Sequence, residues 1–123
     1  MKLNLSLAAF LGLSAVIIGA FGAHSLKDKL DTEALNSFET GVRYMMYHVI
    51  ILLFVNTYSG ISLRSKNLIS YSFFLGILFF SGSIFAISAC GISAKYIWFI
   101  TPLGGLFFIF GWLILFVTFL KKE

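Results

Sequence analysis

Apolar positions run along the chain in four long stretches, broken by short polar segments. Leu3 to Leu26, Tyr44 to Leu63, Asn67 to Ala94 and Tyr96 to Leu120 contain no Asp, Glu, Lys or Arg. A helix needs about 20 such residues to cross the hydrocarbon layer of a bilayer, so each stretch is long enough to span one. The pattern predicts an all-α membrane protein, a four-transmembrane-helix bundle. Residues 1–123 form a single four-pass domain, with spans near 3–22, 41–58, 68–89 and 102–120. The first run, closing on Ala20-Phe21-Gly22, also has the outline of a secretory signal, but it is read as the first span.

The polar segment from Lys27 to Arg43 carries seven of the fourteen charges. Leu30, Ala34, Leu35, Phe38 and Val42 recur in it at helical spacing, and Ser25 followed by Asp28 matches a capping box. A short amphipathic interfacial helix is therefore expected between helices 1 and 2, running into span two. Ser59 to Asn67 reads as a short basic turn. Gly91 to Ile100 reads as a tight connection whose Lys95, Tyr96 and Trp98 suit the headgroup level. Thr101-Pro102 fits an N-cap and first helical position, with a kink inside a longer helix as the alternative.

Small residues recur along span one as Ala8, Gly12, Ala15, Gly19 and Gly22, and along span three as Gly82, Ala86 and Cys90. In lipid there is no hydrophobic drive between helices, so a stripe of small residues marks where another backbone comes close. The two stripes are expected to face each other or a second copy of the chain, and Gly104-Gly105 reads as a further packing point.

Composition narrows the function classes. Charged residues make up 11% of the chain, against roughly 25% in a soluble globular protein, which leaves no room for a soluble domain. The net charge of +4 does not point to nucleic acid, because Lys2, Arg64, Lys66, Lys121 and Lys122 flank spans as topology determinants do. Those five lie on the side of the termini, against Lys27, Lys29, Arg43 and Lys95 on the other, which favours cytoplasmic termini. The single cysteine, Cys90, has no partner for a disulfide or a zinc site and reads as a small packing residue.

Ionisable groups at membrane depth are costly and so are candidates for function. His48 lies about two turns into span two, roughly 10 Å below the interface, and His24 closes span one on the same side. Glu39 and Arg43 are four apart in the favourable order for a helix ion pair, and Tyr44 precedes His48 by one turn. His24, Glu39, Arg43, Tyr44 and His48 form the candidate polar site. Two approaching histidines would suit a metal, a b-type haem or a proton relay; hydrogen bonding within the bundle is the structural alternative. No Cys, Asp or Glu in the charge-free runs completes a metal site, so no metal or cofactor is expected. Ser72, Ser81, Ser83 and Ser88 have no acid or base beside them in sequence and are expected to bond backbone or neighbours, which leaves no nucleophile for an enzyme.

Four segments together resemble a known family. They are Gly19-Ala20-Phe21-Gly22-Ala23-His24, Glu39 to His48, Phe80-Ser81-Gly82-Ser83, and Thr101-Pro102-Leu103-Gly104-Gly105 with Gly111-Trp112. In order and in all four spans, they are similar to the domain of unknown function 423, which includes small bacterial inner-membrane proteins and the mitochondrial transmembrane protein 256 of animals. The resemblance implies a compact four-helix protein of the bacterial inner membrane and brings no agreed activity. Met45 departs from the family pattern, where a glutamine commonly follows the tyrosine, and this favours packing over a polar site. The expectation is a non-enzymatic integral membrane protein that supports membrane integrity or assembles with other membrane proteins. Its partners are expected to be membrane lipids and either further copies or the other subunits of a membrane complex. The alternative is a small transporter, channel or cofactor-binding subunit using His24 and His48.

Overall fold

The structure, a computed structural model, describes residues 2–121; Lys122, one of the flanking cations, lies outside them. Helix α1 covers Lys2–His24 and α2 covers Thr32–Thr57. The third span is built in three pieces, α3 (Leu63–Gly76), a π-helical segment (Ile77–Ser81) and α4 (Gly82–Ser88). A single turn, α5 (Ala94–Ile97), leads to α6 (Ile100–Leu120). Four helices are long and apolar enough to cross a membrane, and no strand occurs among the described residues.

The polar segment before span two is helical, but it is not a separate helix. It forms the first turns of α2, whose 26 residues would extend about 39 Å at 1.5 Å per residue. The cap also differs from the capping-box expectation at Ser25. Asp31 is the N-cap, its carboxylate accepting from the Ala34 N–H at 2.7 Å, while residues 25–31 form the connecting turn. At the other connection Ser62 caps α3 by accepting from the Ser65 N–H at 3.3 Å. Thr101 is not the cap of α6: the helix starts at Ile100, which places Pro102 in the first turn, where a missing N–H leaves no bond unmade. Thr101 instead turns its hydroxyl toward Ser83 of α4.

Helices pack closely in chain order, α1 along α2, α2 along the third span, and the third span along α6. The register is antiparallel throughout. Gly12 faces Val49, Gly19 faces Val42 and Gly22 faces Phe38, so positions rise on α1 as they fall on α2. Across the second hairpin Gly111 faces Phe73, Gly76 faces Phe108 and Gly104 faces Phe80. Leu52, Val55, Ile69 and Phe73, each wholly buried, centre the core that these contacts enclose.

The expected pairing of the small-residue stripes is not what the helices do. The span-one stripe meets Val49, Val42 and Phe38 of α2. A Cβ on Gly82 would meet nothing within 4 Å, so that glycine faces outward, and Cys90 is exposed. The close approaches are made by a glycine receiving a large side chain. A Cβ on Gly22, Gly76 or Gly111 would overlap the ring of Phe38, Phe108 or Phe73, and one on Gly41 would lie 2.7 Å from the Phe85 ring. Dispersion drives association where water is absent, and a flat ring seated over a missing side chain maximises it. This pairs Phe38, Phe85, Phe108 and Phe73 with Gly22, Gly41, Gly76 and Gly111. Gly104 is tighter still: a Cβ there would overlap main-chain atoms of Phe80. That approach coincides with the π segment, whose wider turn accommodates one extra residue.

Candidate functional site

Two polar clusters lie inside the bundle. The first centres on His48, which is buried on the face of α2 turned toward the second hairpin. Its Nδ1 lies 2.6 Å from the Tyr44 carbonyl oxygen one turn back. Its Nε2 accepts from the Trp112 indole N–H of α6 at 3.0 Å. Since a carbonyl can only accept and an indole N–H can only donate, the pair of bonds selects the neutral tautomer with hydrogen on Nδ1. The ring lies flat on Phe108, centroids 3.7 Å apart at 7°, and meets the edge of Phe73 at 5.0 Å. Both nitrogens are thus engaged within the chain, and neither presents a free lone pair to a ligand.

The second cluster lies at the end of the bundle that carries the first and last described residues. The Asn4 amide of α1 donates to Asn56 Oδ1 of α2 and to Asn67 Oδ1 of α3, both at 3.1 Å. The Asn56 amide donates to the Leu52 carbonyl and to Ser70 Oγ, both at 2.8 Å. All four amide hydrogens of Asn4 and Asn56 are used, so three helices are tied by one network. Elsewhere Ser81 of the π segment donates to the Gly41 carbonyl of α2 at 2.7 Å, and Ser72 and Ser88 bond carbonyls of their own helix. Among the described residues, no buried side-chain N or O lacks a partner.

The residues of the expected polar site do not converge. His24 is exposed at the end of α1, beside the start of α2. Gly22 meets Phe38, and His48 lies ten residues beyond Phe38 along α2, roughly 15 Å, and turns to the opposite hairpin. Antiparallel register sets this separation, because two residues meet only where their heights match. Glu39 and Arg43 form a half-exposed pair at 3.9 Å, and Arg43 also donates to Thr40 Oγ1 at 3.0 Å. Tyr44 is the one member beside His48, through its carbonyl and its ring. Met45 is buried in the apolar core. No group of three or more His, Cys, Asp or Glu side chains that would hold a metal occurs among the described residues.

Comparison with known proteins relates the chain to membrane proteins. The family model described as Protein of unknown function (DUF423) matches residues 18–105. The chain belongs to this family. A UPF0382 membrane protein of Staphylococcus haemolyticus is 39% identical over 121 residues, covering 98% of each chain. UPF0382 membrane protein YwdK of Bacillus subtilis is 40% identical over 125 residues, again 98% of each. A UPF0382 membrane protein of Haemophilus influenzae is 40% identical over 109 residues, 89% of this chain and 86% of that one. No solved structure matches the chain.

The family match takes in His48 and the Gly104-Gly105 pair, whereas Asn4 and Trp112 fall outside the matched residues. These two are also the partners that the reading of isolated spans missed. Matching heights in an antiparallel bundle would have found Asn4, since it, Asn56 and Asn67 all lie at the end that carries the first and last described residues. Trp112 stands out through the family resemblance at Gly111-Trp112, but nothing in the sequence pairs it with His48, because an indole in an apolar helix is as much at home against lipid.

Proposed function

We propose that the protein is a non-enzymatic integral membrane protein of the bacterial inner membrane, with cytoplasmic termini, that acts by assembling with further copies or with other membrane proteins and so supports membrane integrity. The observation that carries this reading is the closure of the interior: every buried polar side-chain atom described is bonded within the chain. A transport path or catalytic site needs polar groups turned toward a cavity, and His48 has both nitrogens committed to Tyr44 and Trp112. The outer helices supply surface instead. Phe10, Leu13, Val16 and Ile17 of α1 and Leu106, Ile109, Leu113 and Phe116 of α6 are exposed, and Gly82 leaves a notch on the third span.

Counting copies in dilute lipid nanodiscs taken directly from membranes tests this reading. The expected result is more than one copy, or a stoichiometric membrane partner, per disc. A solitary chain at every density, together with proton or ion flux in sealed liposomes, would overturn it in favour of a transporter. Cytoplasmic termini predict that a reporter fused after Glu123 is active inside the cell and silent outside.

A further inference from the structure

A groove of about 500 Å³ opens between the start of α3 and the end of α6. Leu113, Ile114 and Val117 give it an apolar floor, and Ser62, Ser65, Thr118 and Lys121 also line it. We propose that this groove is a binding site for one anionic glycerophospholipid, with an acyl chain along the floor and the phosphate against Lys121 and the two serines.

Charge complementarity selects that occupant. Every described carboxylate, on Asp28, Asp31, Glu33 and Glu39, lies at the opposite end of the bundle or in the first turns of α2. Lys2, Arg64, Lys66 and Lys121 all lie at the end where this groove opens. A phosphodiester there meets Lys121, at the end of the bundle where the described carboxylates do not lie. The geometry has the polarity of a lipid: Lys121 follows directly on α6, while Leu113 and Ile114 lie about two turns deeper, so charge sits at the mouth and hydrocarbon below it. Two other surface depressions differ in chemistry. The groove of about 310 Å³ between α2 and α4 is rimmed by Asp31 and Glu33, which repel a phosphate. The one lined by Leu103, Leu106, Phe107 and Phe110 offers no polar rim at all.

Native mass spectrometry of the full chain released from bilayers of equal phosphatidylglycerol and phosphatidylcholine tests the site. The wild type is expected to retain phosphatidylglycerol in preference. Lys121→Gln, at an exposed helix end, is expected to lower that retention roughly fivefold, the worth of one cation at an anionic membrane surface. Val117→Trp, which fills the floor, is expected to lower retention of both lipids while the helical content stays at the wild-type value. Lys95→Gln, at the other end, is expected to change nothing. Equal retention of the two lipids by the wild type would overturn the proposal, as would an unchanged preference in both groove variants. Displacement of the lipid by excess glycerol phosphate would overturn it too, since a soluble anion does not need the floor.

Discussion

The two hairpins both place glycine between helices, and they use it differently. In the first, Gly22 holds the ring of Phe38, but Gly12 and Gly19 face the methyl groups of Val49 and Val42, and an added Cβ would lie 3.1 and 3.2 Å from them. In the second, Gly76 and Gly111 each hold a phenylalanine ring, and Gly104 lies against the main chain of Phe80. A valine methyl yields by a few tenths of an ångström, a seated ring yields less, and a backbone does not yield without moving its helix. The second hairpin, with rings at two glycines and main chain at a third, is thus the more rigid unit, and the first is the more adaptable one along Gly12 and Gly19, though not at Gly22. The polar ties follow the same division of labour. The Asn4–Asn56–Asn67 network joins α1 to the rest of the bundle near one end, where the glycine contacts alone fix it loosely.

The sharpest way to break this comparison is Gly104→Ala. Overpacking a tight core costs about 1–3 kcal/mol, and with main chain as the obstacle the loss is expected at about 3 kcal/mol. Unfolding of the variant in mixed micelles, followed by helical circular dichroism, measures it. A loss below about 1 kcal/mol would mean that the Phe80 backbone gives way freely, on the scale of an ordinary core strain.

Asn56→Leu comes next. It removes the acceptor of one Asn4 bond and the donor to Ser70, cutting α2 out of the amide network while Asn4 keeps Asn67. Interhelical hydrogen bonds in membranes contribute about 0.6 kcal/mol each and at most about 1.7, so a loss of about 1–2 kcal/mol is expected. Faster hydrogen exchange should appear in α1 before α6, since the network anchors the first hairpin. Exchange rising first in α6 would reverse the ranking of the two hairpins.

Trp112→Phe keeps the ring and deletes one N–H, leaving His48 Nε2 without its donor. The expected loss is about 1 kcal/mol, because the ring stacking on Phe108 remains. Histidine ¹⁵N shifts report the outcome directly: Nε2 should change and Nδ1 should hold, since its Tyr44 bond is local to α2.

How much of this was legible in the sequence depends on the range of the interaction. The four helices follow from charge-free stretches because crossing a bilayer is a property of one segment at a time. Helix partners do not follow so simply. A small-residue stripe states that something comes close without stating what. Here it is Phe38 at Gly22 and Phe73 at Gly111, not a second small stripe. Gly82 shows the converse, a glycine of the expected spacing with no neighbour at all. His24 and His48 share a side of the membrane in the sequence, yet helix register separates them along α2, and rotation turns His48 to Trp112. Height and azimuth are tertiary quantities, fixed by the facing helix.

The smallest expected effect discriminates most finely, and it comes from a pair of variants. In Gly12→Ala the helix-propensity gain of about 1 kcal/mol is opposed by the close contact with Val49, and the two should nearly cancel. In Gly82→Ala no neighbour opposes the gain, so the isolated chain should become slightly more stable, by about 0.5–1 kcal/mol. The sign of the second result is informative beyond stability. Stabilisation in single-copy nanodiscs combined with a loss of multi-copy discs would locate a contact between chains at the Gly82 notch, because only a surface absent from the monomer can register the added methyl as an obstacle. Stabilisation in both settings would assign assembly to the exposed faces of α1 or α6, and the adaptable first hairpin would then be the region to substitute next.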